Sequence, residues 1–242
     1  MKETRFFYDP ELNGQLPEEE ARHAVRVLRM GEGDEVNLMD GRGTFCLARI
    51  SAATNHRCAY TILARIPQVP TWKGHLHLAV APTKLNDRME WFTEKATEVG
   101  VDELTFLRCQ FSERKDIKPE RFAKIAVSAM KQSHKAWLPQ VNDLMDFHRF
   151  ITTSRPGQKF ICHCYADADV GETGPRPFLL DALVEGEDAT VLIGPEGDFS
   201  VDEVRLALNH GYQSVSLGTS RLRTETAALC AVHLMQIKNQ IR

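Results

Sequence analysis

Val191-Leu-Ile-Gly-Pro-Glu-Gly-Asp-Phe-Ser200 is the stretch from which the architecture can be read. The run from Ala189 to Ile193 is short, apolar and partly β-branched, which predicts a buried strand. Pro195 has no N–H and ends the ladder. Gly194 and Gly197 allow a sharp turn and let a ligand come close to bare backbone. Ser200-Val-Asp-Glu203 then has the spacing of a capping box and opens a helix. Strand, glycine turn and capped helix in succession commonly build a pocket at a strand's carboxyl end. A plain strand-to-helix connection uses the same parts, and this stretch alone does not separate the two.

A second stretch repeats the arrangement: Leu217-Gly-Thr-Ser-Arg-Leu-Arg-Thr-Glu-Thr-Ala227. Thr224 or a neighbour is suited to cap a helix there, and Glu225 suits its first turn. Arg221 and Arg223 do not, because cations are disfavoured at a helix N-terminus. An anion bound at that terminus would account for them. Two solvated loop arginines are the plainer reading. The matching turn a short way upstream favours a site.

Around these turns, strands are predicted at 75–81, 103–107, 159–164, 189–193 and 214–217. They alternate with helices at 84–99, 119–135, 143–151, 178–184, 200–210 and 224–239. That alternation predicts an α/β domain with a mainly parallel sheet over residues 75–242. Residues 1–68 read as a small β-rich, barrel-like domain, with a linker at 69–74. In it, a strand at 5–8 precedes a helix from Pro17 to Met30, closed by Gly31. Ala21, Ala24, Val25 and Leu28 form the apolar stripe of that helix, and Arg22, His23, Arg26 and Arg29 lie away from it. Strands at 35–39 and 44–50 are joined by Asp40-Gly-Arg-Gly43, a hairpin signal, and a strand at 58–66 follows.

The formal net charge of -3 gives no global argument for a nucleic-acid partner, so local charge must carry one. Between Arg108 and Lys135 the cations Arg108, Arg114, Lys115, Lys118, Arg121, Lys124, Lys131 and Lys135 outnumber Glu113, Asp116 and Glu120. Solvated helix faces often look like this. Together with Arg22, Arg26 and Arg29, the excess points to two basic surfaces that grip a folded RNA. No apolar window of membrane-spanning length and no secretory signal is present. Six cysteines in such a chain predict free thiols in a reducing cytosol, hence a cytoplasmic protein. Cys162-His163-Cys164 reads as strand, with buried thiols and no second pair at zinc spacing, so no metal is expected. A nucleophile elbow, a phosphate-binding Gly-Lys-Ser/Thr loop and a dinucleotide fingerprint are all missing.

The ordered set of motifs is specific. Leu192-Ile-Gly-Pro-Glu-Gly197 followed by Leu217-Gly-x-x-x-Leu-Arg-Thr-Glu-Thr-Ala227 resembles the RsmE family. Its members are 16S ribosomal RNA (uracil-N3)-methyltransferases of the SPOUT superfamily. Lys84-x-x-x-Arg-Met-Glu-Trp-x-x-Glu-Lys-Ala-Thr-Glu-Val-Gly100, Ser112-Glu-Arg114, Gln132-Ser133 and His23-Ala-Val-Arg-Val-Leu-Arg29 add to the likeness. The resemblance implies a PUA-like RNA-binding domain, then a SPOUT-type parallel sheet with a C-terminal trefoil knot near 189–235. It implies a homodimer acting on 16S rRNA, within the small ribosomal subunit, with S-adenosylmethionine as cofactor. Carried over, the cofactor lies against Leu192, Ile193, Gly194, Pro195, Glu196, Gly197, Leu217, Gly218 and Leu222. RNA contacts fall to Arg22, His23, Arg26, Arg29, Arg88, Arg114, Lys131, Gln132, Lys135 and Arg221.

Four positions depart from the family pattern. Asp198 stands where a second glycine is usual, Ser220 and Arg221 where Arg and Ile are common, and Lys135 where an arginine is common. A lysine keeps the charge and loses the two-pronged contact to phosphate. Methylating uracil N3 requires loss of its proton and in-line attack on an activated methyl group. Arg223 is expected beside the target nucleotide, steadying the developing anion. Glu196 and Glu225 are the candidate proton acceptors, or the groups that hold Arg223. A ribose 2′-O-methyltransferase of the same superfamily and a non-catalytic RNA-binding assembly protein are the competing readings.

Overall fold

The computed structural model describes residues 5–240. The four residues that open the expected 1–68 domain, and the last two of the chain, lie outside the described residues. The chain divides into two compact units. One holds the described residues up to Thr71 together with Val127–Leu138, and the other holds Trp72–Ala126 and the chain from Pro139 onward.

The first unit is built on a four-stranded sheet, β1 (Phe6–Tyr8), β2 (Glu35–Met39), β3 (Thr44–Ala53) and β4 (Cys58–Pro67), in that order. β1 and β2 are parallel, and β2, β3 and β4 run antiparallel. Phe7, Leu38, Ala48, Ile50 and Tyr60 bury one face against Ala21 and Ala24. The helix predicted from Pro17 to Met30 is shorter. α1 (Glu18–Arg22) runs into a π-helical turn, His23–Val27, where the Leu28 N–H reaches back to His23 O. Arg29, at φ 56°, leaves the helical conformation, so Gly31 is not what stops it. The hairpin at Asp40–Gly43 has a second task. Leu138 N donates to Gly41 O and Gly43 N to Ala136 O, each at 2.9 Å. A Cβ on Gly43 would lie 2.7 Å from the Trp137 ring, so glycine is what admits that indole.

The second unit is a six-stranded parallel sheet in the order β10-β8-β9-β5-β6-β7. Its strands are β5 (Leu76–Val80), β6 (Glu103–Arg108), β7 (Gln140–Asp146), β8 (Gln158–Cys162), β9 (Ala189–Ile193) and β10 (Gln213–Val215). Its helices are α2 (Asn86–Val99), α4 (Phe147–Thr152), α5 (Asp167–Val170), α6 (Leu179–Ala182), α7 (Val201–Asn209) and α8 (Thr224–Gln240), while α3 (Pro119–Gln132) passes from this unit into the other. β5 and β9 are buried along their whole length, as apolar runs in the middle of a covered parallel sheet should be. Alternate residues feed two cores. Leu76, Leu78, Val80, Val191 and Ile193 pack with α2 and α8, and Ala79, Leu192 and Ile161 pack with Phe150, Phe199 and α7. The helix expected at 143–151 is instead the end of β7 followed by α4. Asp146 separates them by capping α4, its Oδ1 accepting from Arg149 N at 3.3 Å. Among the described residues no helix is long and apolar enough to cross a membrane.

Candidate active site

The carboxyl ends of β8, β9 and β10 open into one cavity of about 530 Å³. Its walls include Gly194–Asp198 after β9, Leu217–Gly218 after β10 and Ser220–Thr224 before α8. The predicted groups are therefore brought together: Ile193, Gly194, Pro195, Glu196, Gly197, Leu217, Gly218, Arg221, Leu222 and Arg223 all line it, with Arg88 from α2. Leu192 faces the core packed on α7 and does not line the cavity.

The first turn is held by the chain's own contacts. A Cβ on Gly194 would stand 3.0 Å from Phe199 N, and one on Gly197 would stand 3.2 Å from Phe111 Cβ. Glycine is needed at Gly194 because the turn folds back on itself, a reason other than ligand approach. Asp198 occupies a left-handed conformation, φ 67°. Glycine is favoured there, and Asp is among the few residues that tolerate it. Its carboxylate accepts from Cys164 N and from Phe199 N, both at 2.7 Å. The capping box closes the segment, with Ser200 Oγ accepting from Glu203 N and Glu203 Oε2 from Ser200 N.

The second turn is open. Gly218 sits at φ 116°, and a Cβ there would meet nothing within 4 Å. Thr219, Ser220, Arg221 and Arg223 are exposed. The Arg223 carbonyl accepts from Ala227 N at 2.8 Å, so Arg223 precedes the first turn of α8. Its guanidinium makes no hydrogen bond or ion pair with a described residue.

The carboxylates divide. Glu196 lines the cavity, and its Oε1 accepts from Lys84 N at 3.0 Å. Glu225 is buried behind the wall, with Oε1 3.7 Å from Arg88 Nη1 and Oε2 buried without a hydrogen-bond partner among the described residues. Glu225 thus steadies Arg88 and does not hold Arg223.

The segment after β8 supplies a third wall that the motifs did not announce. β8 stops at Cys162, two residues short of the predicted strand end, so His163 and Cys164 enter the loop. Cys162, His163, Cys164 and Arg176 line the cavity, and Cys164 is exposed where a buried thiol was expected. Arg176 ties the loop together, its Nε donating to Asp167 Oδ1 at 2.6 Å and Nη1 to His163 O at 2.7 Å. His163 Nε2 lies 2.9 Å from Ser214 Oγ. Burial, reinforced by the Arg176 charge, lowers the pKa of His163. Burial pushes the Cys162 thiol up to about 12. The rule that ligands sit beyond the carboxyl ends of parallel strands would have drawn attention to 163–164. Nothing in the sequence marks Arg176.

The residues predicted to meet RNA fall in two places. Arg22, His23, Arg26, Arg29, Lys131, Gln132 and Lys135 belong to the first unit, and Arg88, Arg114 and Arg221 to the second. Arg22 pairs with Glu18 at the start of α1, Arg26 reaches His56 Nε2 at 3.2 Å, and Lys131 bonds Glu20. Burial lowers the pKa of Lys135. Arg114 is a brace: its Nε donates to Thr83 O at 3.0 Å and Nη2 to Lys84 O.

Residues 70–236 match the RNA methyltransferase domain family. The chain belongs to that family. Residues 16–63 match the RNA methyltransferase PUA domain, which makes the N-terminal unit PUA-like. Among relatives, ribosomal RNA small subunit methyltransferase E of Bacillus subtilis is 24% identical over 229 residues, covering 92% of this chain and 89% of that one. A probable rRNA methyltransferase from Porphyromonas gingivalis is 40% identical, with a TM-score of 0.89 and 98% of both chains covered. A ribosomal RNA small subunit methyltransferase E from Neisseria gonorrhoeae, solved bound to S-adenosylmethionine, is 27% identical, with a TM-score of 0.81 and 97% of both chains covered. This member of the RNA methyltransferase family therefore shares the fold of these two solved proteins along nearly all of its length.

Proposed function

We propose that this enzyme transfers the methyl group of S-adenosylmethionine to N3 of one uridine in small-subunit ribosomal RNA. The observation that carries the reading is the cavity walled by two glycine turns, with Arg223, unpaired among the described residues, at its edge. The residues present fit the cofactor. The cavity volume lies in the range of small-molecule sites, and Ile193, Pro195, Val215, Leu217 and Leu222 give an apolar lining. The open side of Gly218 leaves bare backbone facing free space. Bound there, the cofactor would supply a methyl group already activated by its sulfonium charge.

The rest falls to side chains of this chain. N3 lies on the pairing edge of uracil, so the base must enter unpaired. Arg223 is free to meet the anion that forms as the N3 proton leaves, in a site where such a donor counts for most. Of the two carboxylates that line the cavity, Asp198 has both oxygens engaged by backbone N–H groups, and the second oxygen of Glu196 makes it our proton acceptor. Glu225 acts at one remove, by fixing Arg88. The PUA-like unit holds the RNA through Arg22, Arg26 and Arg29. As in the RsmE family it resembles, the chain would work in the cytoplasm as a homodimer, with a knotted C-terminal segment near 189–235.

A lost reverse-transcription stop in rRNA from cells lacking the gene would identify the nucleotide, because methyl at N3 blocks pairing. Mass spectrometry of digested RNA separates methyl-base from methyl-ribose. A methyl-ribose product would replace uracil N3 by ribose 2′-O as the acceptor. Calorimetry that finds no affinity for S-adenosylmethionine would leave an RNA-binding module.

A further inference from the structure

A second cavity, of about 510 Å³, lies beyond the carboxyl ends of β6 and β7. Cys109, Phe147 and Leu206 give it apolar surface, and Arg108, Lys115 and His148 bring positive or ionisable groups. Its carboxylates are largely committed to the fold. Glu203 takes Gln110 N on one oxygen and Ser200 N on the other, each at 2.8 Å. Asp146 caps α4 and stands 3.6 Å from Arg108. Lys115 and His148 are exposed and form no ion pair with a described residue. The charge left available is positive, apart from the outlying Asp202, whose side chain is 93% exposed.

The loop that lines this cavity also touches Gly197 of the first. The loop after β6 sends Cys109, Gln110, Ser112 and Lys115 into the second cavity. Phe111, between them in sequence, packs its Cβ against the backbone of Gly197, which lines the first. The loop is braced on the same side by Arg114 on Thr83 O and Lys84 O, and by Lys84 Nζ on Glu113 at 2.9 Å. Yet the Phe111 residue remains 45% exposed. A half-exposed aromatic residue on a braced loop, beside Gly197 of the first cavity and flanked in sequence by Gln110 and Ser112 of the second, is a platform for a planar ligand.

We infer that Phe111 and the cavity behind it hold a nucleotide adjoining the target uridine in the RNA strand. The base stacks on the Phe111 ring, and its phosphate meets Lys115, Arg108 or His148. Stacking on an aromatic ring is sequence-tolerant and suits single-stranded RNA. The task of this subsite is to keep the strand splayed, so that the neighbouring base stays in the methyl-transfer cavity. The inference rests on the RNA methyltransferase reading above and adds a second nucleotide site to it.

The test uses the full chain, radiolabelled S-adenosylmethionine, and small ribosomal subunits or their extracted RNA from cells lacking the gene. Phe111→Ala should raise KM for RNA about tenfold, as loss of one stacked base does. The Kd for S-adenosylmethionine should stay unchanged, and Phe111→Trp should restore the KM. In filter binding at several salt concentrations, Lys115→Gln should lower the slope of log affinity against log salt by about one. Wild-type KM in Phe111→Ala, with a wild-type salt slope in Lys115→Gln, would overturn the proposal and leave the cavity to another occupant, such as a ribosomal protein. An equal loss of cofactor affinity in Phe111→Ala would overturn it too, by showing that the ring only supports Gly197. No transfer to any RNA by the wild-type chain would sink the parent reading instead, and is distinguishable because it does not depend on Phe111.

Discussion

The two glycine turns look alike in sequence and differ in construction. At Gly194–Asp198 every glycine is spoken for by the protein: added methyl groups would strike Phe199 N or Phe111 Cβ, and Asp198 ties the turn to Cys164. At Leu217–Arg223 the glycine faces open space and the arginines are exposed. One turn is packed against the protein's own atoms, and the other is open. On the proposed function, shape and chemistry fall to different loops.

The contrast is most exposed at Arg223. Arg223→Ala should lower kcat about 10²- to 10³-fold, the range for removing one donor to a developing anion. Cofactor Kd by calorimetry should hold. If both fall together, the second turn is as structural as the first. Next come the glycines themselves. Gly194→Val overpacks the first turn and should cost about 1–3 kcal/mol, read as a fall in Tm, with cofactor affinity lost alongside. Gly218→Ala carries the strain of φ 116° without a clash, so Tm should drop by less, while cofactor affinity falls more than stability accounts for. Equal behaviour of the two variants would erase the distinction.

Asp198 separates two contributions of smaller size. Asp198→Ala keeps the left-handed backbone and loses the hydrogen bonds, so about 2 kcal/mol of stability should go in denaturant unfolding. Asp198→Gly loses the same bonds and relieves the backbone, and should come out within about 1 kcal/mol of wild type. A glycine variant as unstable as the alanine variant would assign the whole effect to the lost hydrogen bonds from Cys164 N and Phe199 N. The weakest expected effect is on pH. His163 has a lowered pKa in the folded protein, so above about pH 6.5 both folded and unfolded states are neutral and nothing is at stake. Below that the unfolded chain takes up a proton that the buried ring resists, and stability declines with pH. His163→Gln should flatten that decline.

The elements legible in the sequence were those that local rules decide. The apolar run 189–193 is β9 to the residue, and Ser200 with Glu203 forms the capping box their spacing announced. Gly100 ends α2 as a helix-closing glycine should. The misreadings fall where a cap or turn depends on contacts distant in sequence. Asp146 looked like helix interior until β7 paired with β6 and left it as the cap of α4. Arg29 ends its helix in a conformation that an arginine does not advertise. The motifs named the two turns and Arg223, which line one cavity. They did not give Arg176, which binds Asp167 and the carbonyls of His163 and Tyr165, nor the choice between Glu196 and Glu225, which hangs on Arg88 and Lys84 N.

The place of β9 in the sheet bears on how the molecule comes to exist. Leu76 of β5 pairs with Ala189, and on the other side Gln158 of β8 pairs with that same residue. A strand late in the chain thus occupies the slot between two earlier ones, and pairings so distant in sequence are slow to form. The wall that β9 carries into the cavity can be set only after its neighbours are in position. In a refolding time course, the ability to bind cofactor should appear after most secondary structure has returned, which makes ligand capture a clock for the final step of assembly.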